Sequence, residues 1–322
     1  MRGLLISSCV LTLAGALLAN PFAGRWGFEL PGGGRFGWLG VEEKDGKLES
    51  AVLWGGGSVM PANETKTEDG KLLVIRHHKQ KDGSVHKQVI TVSKDGENLA
   101  LTTQEFDGAG KPKGNAQAFK GIKCPDLPKA PNLAALKYGK PIALFSGSDM
   151  SGWAAMNEKA FNGWSVKDGI LSNRVMQPDG KAKHGANLKT TQTFEDFNFK
   201  TELRVPKNGN SGIYLRGIYE VQVRESYGMK PDAHNLGGLY SRITPRVAAE
   251  KPAGEWQTID ITLCDRHLTV VLNGQKIIDN QPVLGITGGA MSCDETAPGP
   301  IYLQGDHTDV DYRNMVLTPI VK

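Results

Sequence analysis

The chain has 322 residues, with 38 Lys and Arg against 34 Asp and Glu and a net charge of +4. At roughly 100–200 residues per domain this suggests two domains, and 39% hydrophobic with 22% charged residues excludes wholesale disorder. Neither half is a polycation, so no nucleic-acid partner is expected, and no apolar run after residue 19 approaches the ~20 residues that cross a bilayer.

The chain opens with a basic Met1-Arg2 and an apolar stretch from Leu4 to Ala19, broken at Asn20-Pro21. Residues 1–19 read as a secretory signal peptide cut after Ala16 or Ala19, which makes the protein exported, periplasmic or extracellular, with no transmembrane helix left after removal. Cys124, Cys264 and Cys293 remain. An odd count leaves at least one free thiol; Cys264 and Cys293 either pair as a disulfide or stay as two reduced core cysteines.

Five Asp-Gly pairs then punctuate the first half: Asp45-Gly46, Asp69-Gly70, Asp82-Gly83, Asp95-Gly96 and Asp107-Gly108. Asp-Gly suits tight hairpins because both residues tolerate positive φ. The segments between them (Phe36–Val41, Leu48–Trp54, Leu72–His77, Val85–Val92, Leu99–Thr103) read as strands, so residues 20–124 are expected to form an antiparallel meander, either a small barrel or a curved sheet. Three prolines between Cys124 and Pro131 mark a linker over 125–140. Residues 141–322 are again strand-rich. Asn273-Gly274 is a strong hairpin signal and long helices are absent, so the fold class is all-β, with an antiparallel two-sheet sandwich in this half.

Gly32-Gly33-Gly34-Arg35-Phe36-Gly37 matches a dinucleotide-binding pattern literally, but a strand follows it where that motif needs a helix. No P-loop, zinc motif or nucleophile elbow is present. Two strands carry candidate chemistry. Period-two geometry puts Tyr214 and Arg216 on one face of their strand, and Glu220, Gln222 and Arg224 on one face of the next. A third row, His307, Asp309, Asp311 and Arg313, shares one parity if the chain is extended there. His307 suits proton transfer near neutral pH; Asp306, Asp309 and Asp311 offer an alternative Ca2+ site. No redox cofactor is called for.

Taken in order, several segments of residues 140–320 resemble the 3-keto-disaccharide hydrolase domain family. They are Leu144–Trp153 (LFSGSDMSGW), Trp164–Leu171, Asn210–Gly217 running into Tyr219–Val223, Gly238-Leu239-Tyr240, Pro252–Trp256, Leu272–Gly274, Gly299–Gln304 with His307, and Tyr312-Arg313-Asn314. The sequence departs from the family pattern at Ser146, Ser148, Arg224-Glu225 and an inserted-looking Gly305-Asp306. The resemblance implies a concanavalin A-like jelly roll and cleavage of 3-keto-glycosides by elimination and hydration. The ketone at sugar carbon 3 acidifies the carbon-2 hydrogen; loss of that proton expels the aglycone, and water adds back. On that basis Glu220 and His307 transfer protons and Arg216 stabilises the enolate oxygen. Tyr214, Gln222, Tyr240, Gln304 and Arg313 hold hydroxyls, and Trp256 stacks on the sugar. The partner is a 3-keto-sugar or other glycoside. Residues 20–124 faintly resemble lipocalin-like barrels through Gly24-Arg25-Trp26 and Phe119-Lys120-Gly121.

Three other readings compete. A lectin without catalysis uses the same sandwich, since fold does not fix function. A glycosidase with two carboxylates flanking one bond is disfavoured, because Glu220 is followed on its face by Gln222 and Arg224 and not by a second acid. In the third, the N-terminal unit is the functional one. Nothing in the sequence fixes the oligomeric state, the aglycone or the anomeric preference.

Overall fold

The computed structural model describes residues 20–322 apart from Pro178 and Ala182; the signal-peptide reading of 1–19 lies outside the described residues. The chain is all-β. Its one helical turn among the described residues is a 3-10 turn at Leu133–Ala135, capped by the Asn132 side chain.

The first sheet holds nine antiparallel strands. Their order is Met60–Pro61, Lys47–Trp54, Phe36–Lys44, Gly24–Glu29, Pro112–Lys123, Asn98–Phe106, Val85–Asp95, Lys71–Lys79, Glu64–Glu68. The Asp-Gly pairs make its hairpins: Asp45 and Gly46 sit at φ 50° and 71°, Asp69 and Gly70 at 49° and 71°, the double positive φ of a type I′ turn. The two ends of the sheet are neighbouring pieces of one segment, residues 60–68. That segment pairs first with Lys47–Trp54 and then with Lys71–Lys79. The sheet therefore curls strongly, but it is a curved meander and not a closed barrel. Alternate residues fill its concave side: Leu39, Val41, Val52, Leu72, Val74, Ile90, Val92, Leu99 and Leu101 are all buried.

The second half is a sandwich of two antiparallel sheets, a jelly roll. The larger sheet runs Trp164–Lys167, Ile170–Asn173, Val310–Val321, Phe197–Arg204, Gln257–Cys264, His267–Leu272, Gln275–Pro282, and the smaller one Trp153–Ala155, Leu188–Thr190, Tyr302–Leu303, Asn210–Leu215, Tyr219–Arg224. Between them lie Phe197, Phe199, Leu203, Ile261, Val270 and Leu317 from one side and Ile213, Leu215, Tyr219, Val221, Val223 and Leu303 from the other, each fully buried. Trp38, Leu53 and Cys124 of the first half join this same core.

The Pro-rich segment is tied down. Arg25 and Arg266 donate to the Pro125 carbonyl at 2.8 and 3.1 Å, Arg266 also bonds the Asp126 carbonyl, and Asn280 donates to that of Pro131 at 3.0 Å. Cys124, Cys264 and Cys293 are all free thiols. Cys264 lies beside Asp196 and Asp265, whereas Cys293 packs against Gly27 of the first sheet, so the Cys264–Cys293 pairing is not formed.

Phe199 is wholly buried between the sheets. Phe199→Ala is expected to cost about 3–5 kcal/mol, read as a lower urea midpoint with an unchanged slope.

Candidate active site

The polar row expected from strand parity exists. Across the smaller sheet, Lys189 pairs with Tyr302, Tyr302 with Tyr214, and Tyr214 with Glu220. One step along, Gln304 donates its amide to Gly212, which pairs with Gln222. All seven positions face away from the sandwich core, because Ile213, Leu215, Tyr219, Val221 and Leu303 face into it. Yet Glu220 and Gln222 are buried, 4% and 3% exposed, so this is not a solvated face. Residues 237–240 run along the edge of Tyr219–Arg224, where Gln222 donates to Gly238 and Tyr240 donates to Glu220. Thr287 accepts the Glu220 amide at 2.8 Å and its own amide donates to Ile218. Two loops therefore roof the row.

Under that roof one hydroxyl has two claims on it. The Tyr214 hydroxyl lies 2.7 Å from the Gly288 carbonyl oxygen and 2.9 Å from Glu220 Oε2. A carbonyl can only accept, and a phenol carries one proton. Both bonds form together only if Tyr214 donates to Gly288 and Glu220, carrying its own proton, donates to Tyr214. Burial acts in the same direction: it pushes Glu220 from the ordinary 4.5 up to about 8, against the opposing pull of the His307 charge. Burial and the neighbouring Glu220 also hold Tyr214 well above the usual phenol range. Tyr302 stacks on Tyr214 with ring centroids 3.9 Å apart and planes 10° apart. Gly212 carries no side chain because a Cβ there would meet the Glu220 carboxyl.

His307 lies near enough for its charge to act on Glu220. Its Nδ1 is 2.6 Å from Asp306 Oδ1, and the side chain is half-exposed. The Asp306 bond raises the His307 pKa above its usual value, outweighing burial. Burial works to raise Asp306, but the His307 bond and charge outweigh it and hold it low. The pair fixes the imidazole with Nδ1 occupied, leaving Nε2 for chemistry. Asp306 belongs to the inserted-looking dipeptide.

The other expected site residues divide. Tyr240 abuts the Glu220 backbone and meets the His234 ring edge-on at 4.8 Å. Gln222 folds its amide oxygen back onto the Val223 amide at 3.0 Å. Gln304 keeps a buried side-chain oxygen with no partner among the described residues. Arg216 is not brought to Glu220. It lies past the strand end at φ 54°, so strand parity does not govern it, and it donates to the carbonyls of Glu295 (2.8 Å) and Ala297 (2.5 Å).

Arg313 and Trp256 are also elsewhere. Arg313 bonds Glu202 on the outer face of the larger sheet and lies 4.0 Å over the Trp256 ring, with Arg204 at 4.7 Å. The extended run from His307 to Arg313 does not hold, because the chain leaves the smaller sheet after Leu303 and enters the larger one at Val310. The three aspartates considered for Ca2+ have separate partners: Asp306 holds His307, Asp309 accepts the Val175 and Met176 amides, and Asp311 binds Ser172, Arg174 and Arg204.

Sequence reading missed Tyr302, Lys189, Thr287 and Gly288 as parts of the site, and it offered Asp306 as a Ca2+ ligand where the structure has it orienting His307. Tyr302 had a signal, sharing a short segment with Gln304 and His307. Gly288 had none, since it acts through a carbonyl.

The fold and this row define a β-sandwich with a buried acid on a covered face and a half-exposed Asp–His pair whose charge reaches it. A family model described as the 3-keto-alpha-glucoside-1,2-lyase-like domain matches residues 140–318, and the chain belongs to that family. It is similar to a 3-keto-disaccharide hydrolase of Bacteroides thetaiotaomicron, 26% identical over 164 residues, which are 42% of this chain and 55% of the relative; the chain thus matches about half the length of that protein. Among solved structures, a Parabacteroides distasonis protein provisionally assigned as a glycosyl hydrolase aligns at 28% identity and a TM-score of 0.44, covering 58% of this chain and 92% of the other. The carbohydrate-binding module CBM66 of Bacillus subtilis aligns at 10% identity and 0.34, covering 51% and 93%.

Between about 4.5 and 8 the folded chain keeps a proton on Glu220 that the unfolded chain releases. This contribution to stability is complete below about 4.5 and is lost as pH rises through about 8. His307, also raised, acts in the same sense. Glu220→Gln is expected to flatten the fall in stability across that window by several kcal/mol at most, measured by denaturation at a series of pH values.

Proposed function

We propose that this protein is an exported enzyme that cleaves 3-keto-glycosides by elimination followed by hydration. The observation that carries the reading is a buried acid whose hydrogen bonds require its proton, set beside a histidine oriented by an aspartate. Elimination from a 3-keto-sugar needs a base at carbon 2, an acid at the leaving oxygen and a donor at the enolate oxygen. The family membership and the printed name of the Bacteroides relative support the substrate class.

In this reading, neutral His307 takes the carbon-2 proton at Nε2, and the Asp306 carboxylate stabilises the imidazolium. Electrons flow from the C2–H bond into the enolate and then expel the aglycone from carbon 1. Glu220 gives the departing oxygen its proton. In the hydration step the Glu220 carboxylate takes a proton from water as that water adds to carbon 1, and His307 returns its proton to carbon 2. The sum is hydrolysis. Arg216 is committed to its loop, so the cation for the enolate oxygen is Lys189, which the sheet register puts on the same row. The unpartnered Gln304 side-chain oxygen accepts a sugar hydroxyl.

The test is release of a chromogenic aglycone from a 3-keto-glucoside and from its unoxidised parent. Turnover of the keto-sugar alone is expected, with kcat falling ~10²–10⁴-fold in Glu220→Gln and in His307→Ala and melting temperatures retained. Activity is expected to rise as His307 loses its proton and to fall above about 8 as Glu220 loses its own. Normal turnover by both variants contradicts the assignment; cleavage of the unoxidised glucoside favours a conventional glycosidase.

A further inference from the structure

The first sheet reaches the roof of the site through the Gly55–Val59 loop, with Trp38 behind it. The Gly289 amide donates to the Gly55 carbonyl at 3.2 Å. Gly288, whose carbonyl receives the Tyr214 hydroxyl, lies so close to Gly57 that a Cβ would run into the Gly57 carbonyl oxygen and amide. On the other side, Ser58 Oγ lies 2.8 Å from His234 Nε2, and the Val59 amide donates to Ser241 Oγ at 2.8 Å. His234 Nδ1 is held by Asp232 at 2.6 Å, and its ring meets Tyr240, the residue bonded to the Glu220 backbone. Behind the loop, Trp38 packs against Gly285 and under Arg242, which donates to the Ile286 carbonyl at 2.7 Å. Gly55, Gly57, Ser58 and Val59 thus brace both loops that cover Glu220.

We propose that the Gly55–Val59 loop of the N-terminal meander is a positioning element of the active site, pinning the Gly288 carbonyl on Tyr214 and so keeping the proton on Glu220. The inference rests on the Tyr214–Glu220 site but not on the identity of the sugar. If Gly288 is displaced, the Tyr214 hydroxyl turns to the Glu220 carboxylate and stabilises its ionised form. The ionisable groups that bear on Glu220 are Tyr214, Tyr302 and Tyr312 from the sheets and Asp306 and His307 from the following loop. Tyr240 comes from the edge segment. Residues 285–290 and 55–59 bring no ionisable side chain, so the loop acts through hydrogen-bond geometry and exclusion of water.

The full chain is titrated by difference infrared spectroscopy, with Glu220→Gln identifying the protonated-carboxyl band. Gly288→Ala, which forces the two loops apart, is expected to lower the Glu220 midpoint by about one unit, roughly tenfold in proton affinity. Ser58→Ala is expected to lower it by less. Gly56→Ala, where a Cβ meets nothing, is expected to leave it unchanged. Should Gly288→Ala fail to fold, Ser58→Ala decides, since it removes a single hydroxyl. A wild-type midpoint in both displaced variants overturns the proposal, as does the absence of a protonated Glu220 band in the wild type. Because the readout is a titration, failure of the keto-sugar assay leaves this result standing on its own.

Discussion

The Tyr214 hydroxyl has one proton and two neighbours that would take it. The Gly288 carbonyl cannot give a proton back, so the arrangement is complete only with a neutral Glu220. Much of the surrounding structure follows from keeping that arrangement dry. Gly212 and Gly289 leave room for the carboxyl and the phenol, Tyr302 covers the ring, and two loops close over the row. An acid held neutral at neutral pH is available as a proton donor, which a carboxylate in water is not.

The site also depends on two units that are far apart in sequence. The sandwich supplies the row, but Ser58 and the Gly55–Gly57 backbone meet the covering loops from the first sheet. The Pro-rich segment between them is bonded along its length to Arg25, Arg266 and Asn280. The N-terminal meander is therefore packed into the same architecture as the sandwich, as Trp38 and Leu53 in the sandwich core already indicate.

Strand parity made the Glu220, Gln222 and Arg224 row legible from sequence, and the Asp-Gly and Asn-Gly pairs marked the hairpins where φ is positive. Parity failed where the chain stops being a strand. Arg216 lies in the left-handed region beyond Leu215 and turns to the 295–297 carbonyls. Arg313 shares parity with His307 only on paper, because the chain changes sheets between them. Of the roof, only Gly238-Leu239-Tyr240 stood out in the sequence; Thr287 and Gly288 did not, and no side-chain pattern announces a carbonyl. Trp256 looked like a sugar platform, but its ring packs against Arg204 and Arg313 on the opposite sheet.

The most direct test is the position of two hydrogens. Neutron diffraction from a deuterium-exchanged crystal near neutral pH should show one deuteron on Glu220 Oε2 directed at the Tyr214 oxygen and the Tyr214 deuteron directed at the Gly288 carbonyl. A Tyr214 deuteron pointing at a bare Glu220 carboxylate would contradict the account.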